Sequence, residues 1–234
     1  MQLKISLSPR SIIRYLIVGV IFFTVVSTAI QISKYSYGYR ADWMKLFNLD
    51  RELNFPTWYS ALMIAFSALI LKIIAEGKKQ QSDRHTPDWQ LLSLIFCWLA
   101  IDEVLSIHEI LIIPEVSEAL NLPWFLHSMW VIPGTIFVLW FIKRYTKFLR
   151  HLSLRSRRYF LVAALFYIGG ALVMEMVGSY FAEAQGQQRL TYALIATLEE
   201  VMEMTGIVVF IYGLLDYLRQ WQAKLNLEIS IAKK

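Results

Sequence analysis

The sequence predicts an all-α fold, a polytopic transmembrane helical bundle of six spans with both termini cytoplasmic. Three observations carry this. Of 234 residues, 57% are hydrophobic and 18% charged, against roughly 45–50% and 25% in soluble domains; mean hydropathy is +0.47. Six apolar segments can be drawn, at 11–32, 57–75, 90–113, 124–142, 159–181 and 190–215, each near the ~20 residues that cross a ~30 Å hydrocarbon core. The basic residues then sort by side. One face holds Lys4, Arg10 and Arg14, then Lys72, Lys78, Lys79 and Arg84, then the run from Lys143 to Arg158, and finally Arg219, Lys224, Lys233 and Lys234. The other holds Lys34, Arg40, Lys45, Arg51 and Arg189. The richer face is the cytoplasmic one.

The first segment follows Lys4 and Arg10, and the small residues Ser27 and Ala29 come after the run from Tyr15 to Val26, which is the layout of a signal peptide. The run continues apolar beyond that point, so the segment is expected to remain as the first span. Between the first two spans, residues 35–59 mix Trp43, Phe47, Trp58 and Tyr59 with Asp42, Lys45, Asp50, Arg51 and Glu52. A partly helical element at the interface is expected, its aromatics at headgroup level, with a lid over a site as the second reading. No linker divides residues 1–234, so one transmembrane domain is expected. The single cysteine, Cys97, excludes an intrachain disulfide or a cysteine redox pair. The net charge of +5 reflects topology; its basic residues flank spans, so the bilayer is the expected partner and nucleic acid is not.

The chemistry-bearing residues lie inside the later spans. An acid at mid-membrane costs roughly 2.5–3.5 kcal/mol, so each is a functional candidate. The third span carries Asp102, Glu103, Ser106, His108 and Glu109; the fourth begins near His127; the fifth carries Glu175; the sixth carries Tyr192, Glu199, Glu200 and Glu203. At 1.5 Å rise per residue these groups fall between mid-membrane and the outer leaflet. At about 100° per residue, Glu199, Glu200 and Glu203 share one face of the sixth helix. On a continuous third helix, Glu103 and His108 diverge by about 140°, so both are not expected at one centre. Ala171, Glu175, Gly178 and Ser179 form a small-residue face suited to close helix packing.

So many acids at one depth need cations or shared protons. Carboxylate with imidazole suits Fe, Mn or Zn, and helical bundles hold one or two such ions between facing helices. The expected ligands are Asp102, Glu103, His108, Glu109, Glu175, Glu199, Glu200 and Glu203, with His127, Ser106 and Tyr192 around them. The match to the soluble di-iron pattern is partial, since Glu200 and Glu203 have no histidine at the required spacing. No Gly-x-Ser-x-Gly elbow, phosphate loop or His-Glu-x-x-His is present.

The stretches from Ile101 to Glu109 and from Ala196 to Met204, read as DExxxxHE and EExxE motifs, and the loop from Asn48 to Ser60 resemble an uncharacterised family of multi-spanning bacterial inner-membrane proteins. That resemblance implies the architecture and a place in the bacterial inner (plasma) membrane, and no activity. Three readings of the residues stand beside it. The first is a metal-dependent enzyme acting on a lipid or other apolar substrate. The second is a proton- or cation-coupled transporter using the same acids. The third is a non-catalytic membrane scaffold with protonated, hydrogen-bonded acids.

Overall fold

A computed structural model describes residues 8–221, and every regular element among them is helical. Lys4, Lys224, Lys233 and Lys234, used above to orient the termini, lie outside the described residues. Eight α-helices are numbered in chain order: α1 Pro9–Ser36, α2 Phe55–Gln80, α3 Thr86–Leu105, α4 Pro114–Ala119, α5 Val131–His151, α6 Leu154–Ile168, α7 Glu175–Gln185 and α8 Leu190–Trp221. Each of the six expected apolar segments falls mainly on helix. Three stretches are long and apolar enough to cross a membrane: α1, α2 and the run Leu154–Gln185, which joins α6 to α7. A fourth exists if α3 and the bent segment after it are one broken span.

Proline sets two of the starts. Pro56 and Pro87 sit at the first turns of α2 and α3, where a missing N–H costs nothing. Asn54 caps α2 by accepting the Thr57 amide at 3.1 Å. Ser153 caps α6 through the Ser156 amide at 3.3 Å.

The spans expected at 90–113 and 124–142 are corrected by the structure. α3 stops at Leu105, Ser106 is left-handed at φ 48°, and His108–Leu111 is a short 3-10 turn; the chain bends by 68° there. A left-handed non-glycine costs free energy and needs tertiary support. The Ser106 hydroxyl supplies some of it by donating to Glu52 at 3.2 Å. The fourth helix begins only at Val131, because residues 124–126 form a 3-10 turn instead.

α8 is the central helix, packed against α1, α2, α6 and α7. Its buried residues Met204, Ile207, Ile211 and Leu214 join Ile64, Leu71 and Ile74 of α2 and Phe160 and Ala163 of α6 in one core. Close approach is set by small residues. A Cβ placed on Gly206 would sit 2.7 Å from the Tyr167 amide nitrogen and 2.9 Å from the Ala163 carbonyl oxygen. On Gly170 it would sit 2.8 Å from the Glu199 carbonyl oxygen. Gly170 belongs to a π-helical turn, Gly169–Met174, that joins α6 to α7. Such turns recur at functional sites.

The loop between α1 and α2 is folded onto the bundle. Ser27 and Gln31 of α1 are fully buried; the Ser27 hydroxyl accepts the Leu49 amide at 3.0 Å and the Gln31 amide donates to Asn48. The Asn54 amide donates to the carbonyls of Asn48 at 2.7 Å and Arg51 at 2.8 Å. Residues 48–54 are thereby fixed against α1.

Gly206→Ala should lower the melting temperature of the solubilised protein by an amount equivalent to about 1–3 kcal/mol, because the backbone of α6 must move. Gly178→Ala is the control. Its Cβ would meet only side chains at 3.9 Å, and alanine favours helix by up to ~1 kcal/mol. Equal melting of the two variants would show that α6 and α8 do not cross as closely as described.

Candidate metal centre

The break after α3 creates the centre. Because the helix ends at Leu105, His108 turns back onto Asp102: its backbone N–H meets Asp102 Oδ1 at 3.1 Å and its ring Nδ1 meets Oδ2 at 2.9 Å. Glu103 and His108 both border one large cavity, but the cluster that holds His108 does not include Glu103. The Trp130 ring packs against the imidazole at 5.3 Å. With Nδ1 engaged by a carboxylate, Nε2 is the nitrogen left to bind a metal, and carboxylate support of this kind orients and strengthens a histidine ligand.

Glu52, His108 and Glu109 each offer a ligand atom, and these lie within 4.8 Å of one another. Glu52 comes from the anchored loop. It accepts hydrogen bonds from Ser106 at 3.2 Å and Thr57 at 3.3 Å, both through Oε2. Two carboxylates and one imidazole form a donor set that fits Fe, Mn or Zn. A metal held there would supply Lewis-acid polarisation or an activated water.

The cavity behind this trio has a volume of ≈ 740 Å³. All eight expected ligands border it: Asp102, Glu103, His108, Glu109, Glu175, Glu199, Glu200 and Glu203. Tyr192 and Ala196 border it too, with Asp50, Arg51, Glu52 and Tyr167. Glu175 of α7 and Glu199 of α8 both border this cavity. Glu175 also accepts from Ser128, whose hydroxyl lies 3.2 Å from Ser179.

The remaining expected neighbours are placed differently. His127 points Nε2 at the Leu122 carbonyl, 3.1 Å away, and its Nδ1 is 4.0 Å from Glu183; the adjacent Ser128 is the residue that reaches an acid of the cavity. Ser106 acts as the helix stop and as a donor to Glu52.

Sequence reasoning missed Glu52, Asp50, Arg51 and Tyr167 as cavity residues. Nothing local marks them, since charges in a loop look solvated. The signals available were Asn48 and Asn54 flanking the acids, residues that favour ordered turns, and the inclusion of this loop in the family resemblance.

The loop acids carry the electrostatic strain of the mouth. Burial raises Asp50 to about 6, adjacent Glu109 adds to that, and Lys34 and Arg51 oppose it. Glu52 is raised by burial and by Glu109, against the opposing pull of His108 and its two hydroxyl donors. An unfolded aspartate titrates near 3.9, so the folded chain binds the Asp50 proton more tightly. Its contribution to stability falls as pH rises from about 4 through about 6. In metal-free protein, Asp50→Asn should match wild type below about pH 4 and exceed it by up to ~3 kcal/mol above that window. Melting temperatures measured across the range check this; a difference independent of pH would refute it.

No curated protein and no solved structure matches the chain. A family model described as a domain of unknown function, DUF8692, matches residues 15–218. That match spans most of the 234 residues and takes in the Asp102–Glu109 and Glu199–Glu203 stretches together with the loop that carries Glu52. The chain accordingly belongs to the DUF8692 family.

Proposed function

We propose that this chain is a multi-pass membrane protein of six spans, both ends cytoplasmic, working as a metal-dependent enzyme on a lipid or other apolar substrate. The observation that carries the reading is the convergence of Glu52, His108 and Glu109 within 4.8 Å at the polar end of a cavity whose other walls are aliphatic and aromatic. A structural metal needs no such cavity. A transport path would need polar groups along its length, whereas Leu92, Ile95, Phe96, Phe137, Val138 and Phe141 line the rest of this one.

The residues divide the work. Asp102 fixes the imidazole of His108. Glu52 and Glu109 complete the ligand set, and Glu175 and Glu199 border the cavity beyond it. Arg51 stands at the mouth among the acids. The apolar walls hold the body of the substrate and keep water from the reacting end.

Purified protein reconstituted with Fe, Mn or Zn should retain about one equivalent of metal at this trio. Glu52→Gln or His108→Ala should remove most of it. Asp102→Asn should keep the site while weakening it by roughly 10–100-fold, the usual consequence of losing the carboxylate behind a histidine ligand. Retention below about a tenth of an equivalent for every metal tried would overturn the proposal.

Topology has its own check. Reporters fused after Gln80 and after His151 should both report the cytoplasm, and reporters after Gly38 and Gly186 the opposite side. A cytoplasmic signal after Gly186 would refute the six-span arrangement.

A further inference from the structure

The shape and polarity of the cavity identify the kind of substrate. Its acids gather at one end. On α3 the lining continues from Asp102 back to Leu92, ten residues or about 15 Å at the helical rise of 1.5 Å, and every α3 lining residue below Asp102 is apolar. On α5 it runs from Pro133 to Leu149 and on α6 from Phe160 to Ile168. The space is therefore an elongated apolar channel between α3, α5 and α6, continuous with the carboxylate end.

α5 explains why the channel exists. It is fastened at its two ends. Near its start, Gly134 approaches Leu172 of the π-helical turn, and the preceding Trp130 packs on His108. Near its end, Arg144 pairs with Asp88 at 2.6 Å, the Tyr145 hydroxyl donates to the Asp88 carbonyl at 3.1 Å, and Phe148 packs edge-on to Trp89 at 4.8 Å. Tyr145 and Phe148 of that second clamp also line the channel. Between the clamps, the bordering side chains Leu94, Trp98 and Phe137 remain exposed, which leaves the wall open sideways.

We propose that the channel binds the hydrocarbon tail of a long-chain lipid, whose small uncharged oxygen-bearing head (alcohol, aldehyde or ester) lies against the carboxylate end. This rests on the metal-dependent reading for the role of the head. A volume of ≈ 740 Å³ suits a whole ligand of that size, since such sites run roughly 300–1,000 Å³. The head is uncharged because the polar end already holds many carboxylates, and Arg51 is the basic residue lining it; a phosphate there would meet like charge. Trp130 lines the same end of the cavity, beside the His108 ring. Burying the tail supplies about 0.8 kcal/mol per CH₂ when it comes from water. Entry from the bilayer changes that balance, so selection by length comes from the extent of the lined channel rather than from hydrophobicity.

Photoreactive long-chain alcohols test this on the full chain in nanodiscs, with the reactive group near the head in one probe and at the tail end in the other. The head probe should label Trp130 or Tyr167, and the tail probe Phe148 or Leu92. Excess unlabelled long-chain alcohol should suppress both, and a short-chain alcohol neither. Ala164→Phe, which fills the channel wall, should cut labelling about tenfold, equivalent to ~1.4 kcal/mol, with metal content unchanged. Labelling of lipid-facing Leu62 and Leu165 irrespective of probe position would overturn the inference. Metal assayed on the same samples separates the two readings: ordered labelling without metal retains the channel and removes the metal centre, and metal without ordered labelling does the reverse.

Discussion

Everything distinctive in this structure depends on keeping many carboxyl groups close together inside an apolar bundle. Isolated charges in such a medium are prohibitively costly, and like charges only a few ångströms apart compound the cost. The chain meets the constraint with a different device at each point. Asp102 is paired with His108. Glu175 takes the Ser128 hydroxyl. Glu52 takes two hydroxyl donors, and Asp50 faces Lys34 and Arg51. These arrangements leave Glu52 and Glu109 beside a single imidazole, an excess of negative donors that a divalent cation would offset. The metal reading follows from that imbalance more than from any one residue.

The backbone has been shaped to permit it. A regular α3 would place His108 on a different face from Asp102; the left-handed Ser106 ends the helix and lets the chain return. A regular α6–α7 helix would carry its bulk past α8 with even spacing. The π-helical turn places Gly170 against the Glu199 carbonyl and the Glu203 side chain instead, so the two helices meet where the acids are. Both irregularities carry a local cost of the kind that persists where surrounding structure over-determines it. The loop bearing Glu52 is over-determined in the same way, by four side chains, Ser27, Gln31, Asn48 and Asn54, whose hydrogen bonds go to one another and to the loop backbone.

The legibility of these features in the sequence follows the range of the forces involved. Helix positions were readable because apolar length is a local property, and all six expected segments lie mainly on helix. Asp102, Glu175 and Glu199 were placed together from the nearly constant rise per residue, and all three line one cavity. The break at Ser106 was not readable. No glycine or proline lies between Asp102 and His108, and the left-handed turn is held by contacts from residues more than fifty positions away. Azimuth carried through that point no longer describes His108 and Glu109, which lie beyond the break. Glu52 was hidden because its environment is made by a buried polar network that connects α1 to the loop, and no periodicity encodes it.

The Glu52, His108 and Glu109 trio borders the cavity where the anchored loop meets the broken end of α3, and Tyr145 and Phe148 line the far end. A ligand with polarity at one end only can fill that space in one direction. Reversing it would push the head against Phe148 and Tyr145 and leave hydrocarbon among carboxylates, which loses hydration at one end and gains no hydrogen bonds at the other. Orientation is thus set before any bond to the centre forms. A short molecule would not feel this constraint, because it could lie anywhere along the wall. On the proposed reading, selectivity for a long chain and placement of its head would be one property of the fold, set by the distance between the clamp on α5 and the break in α3.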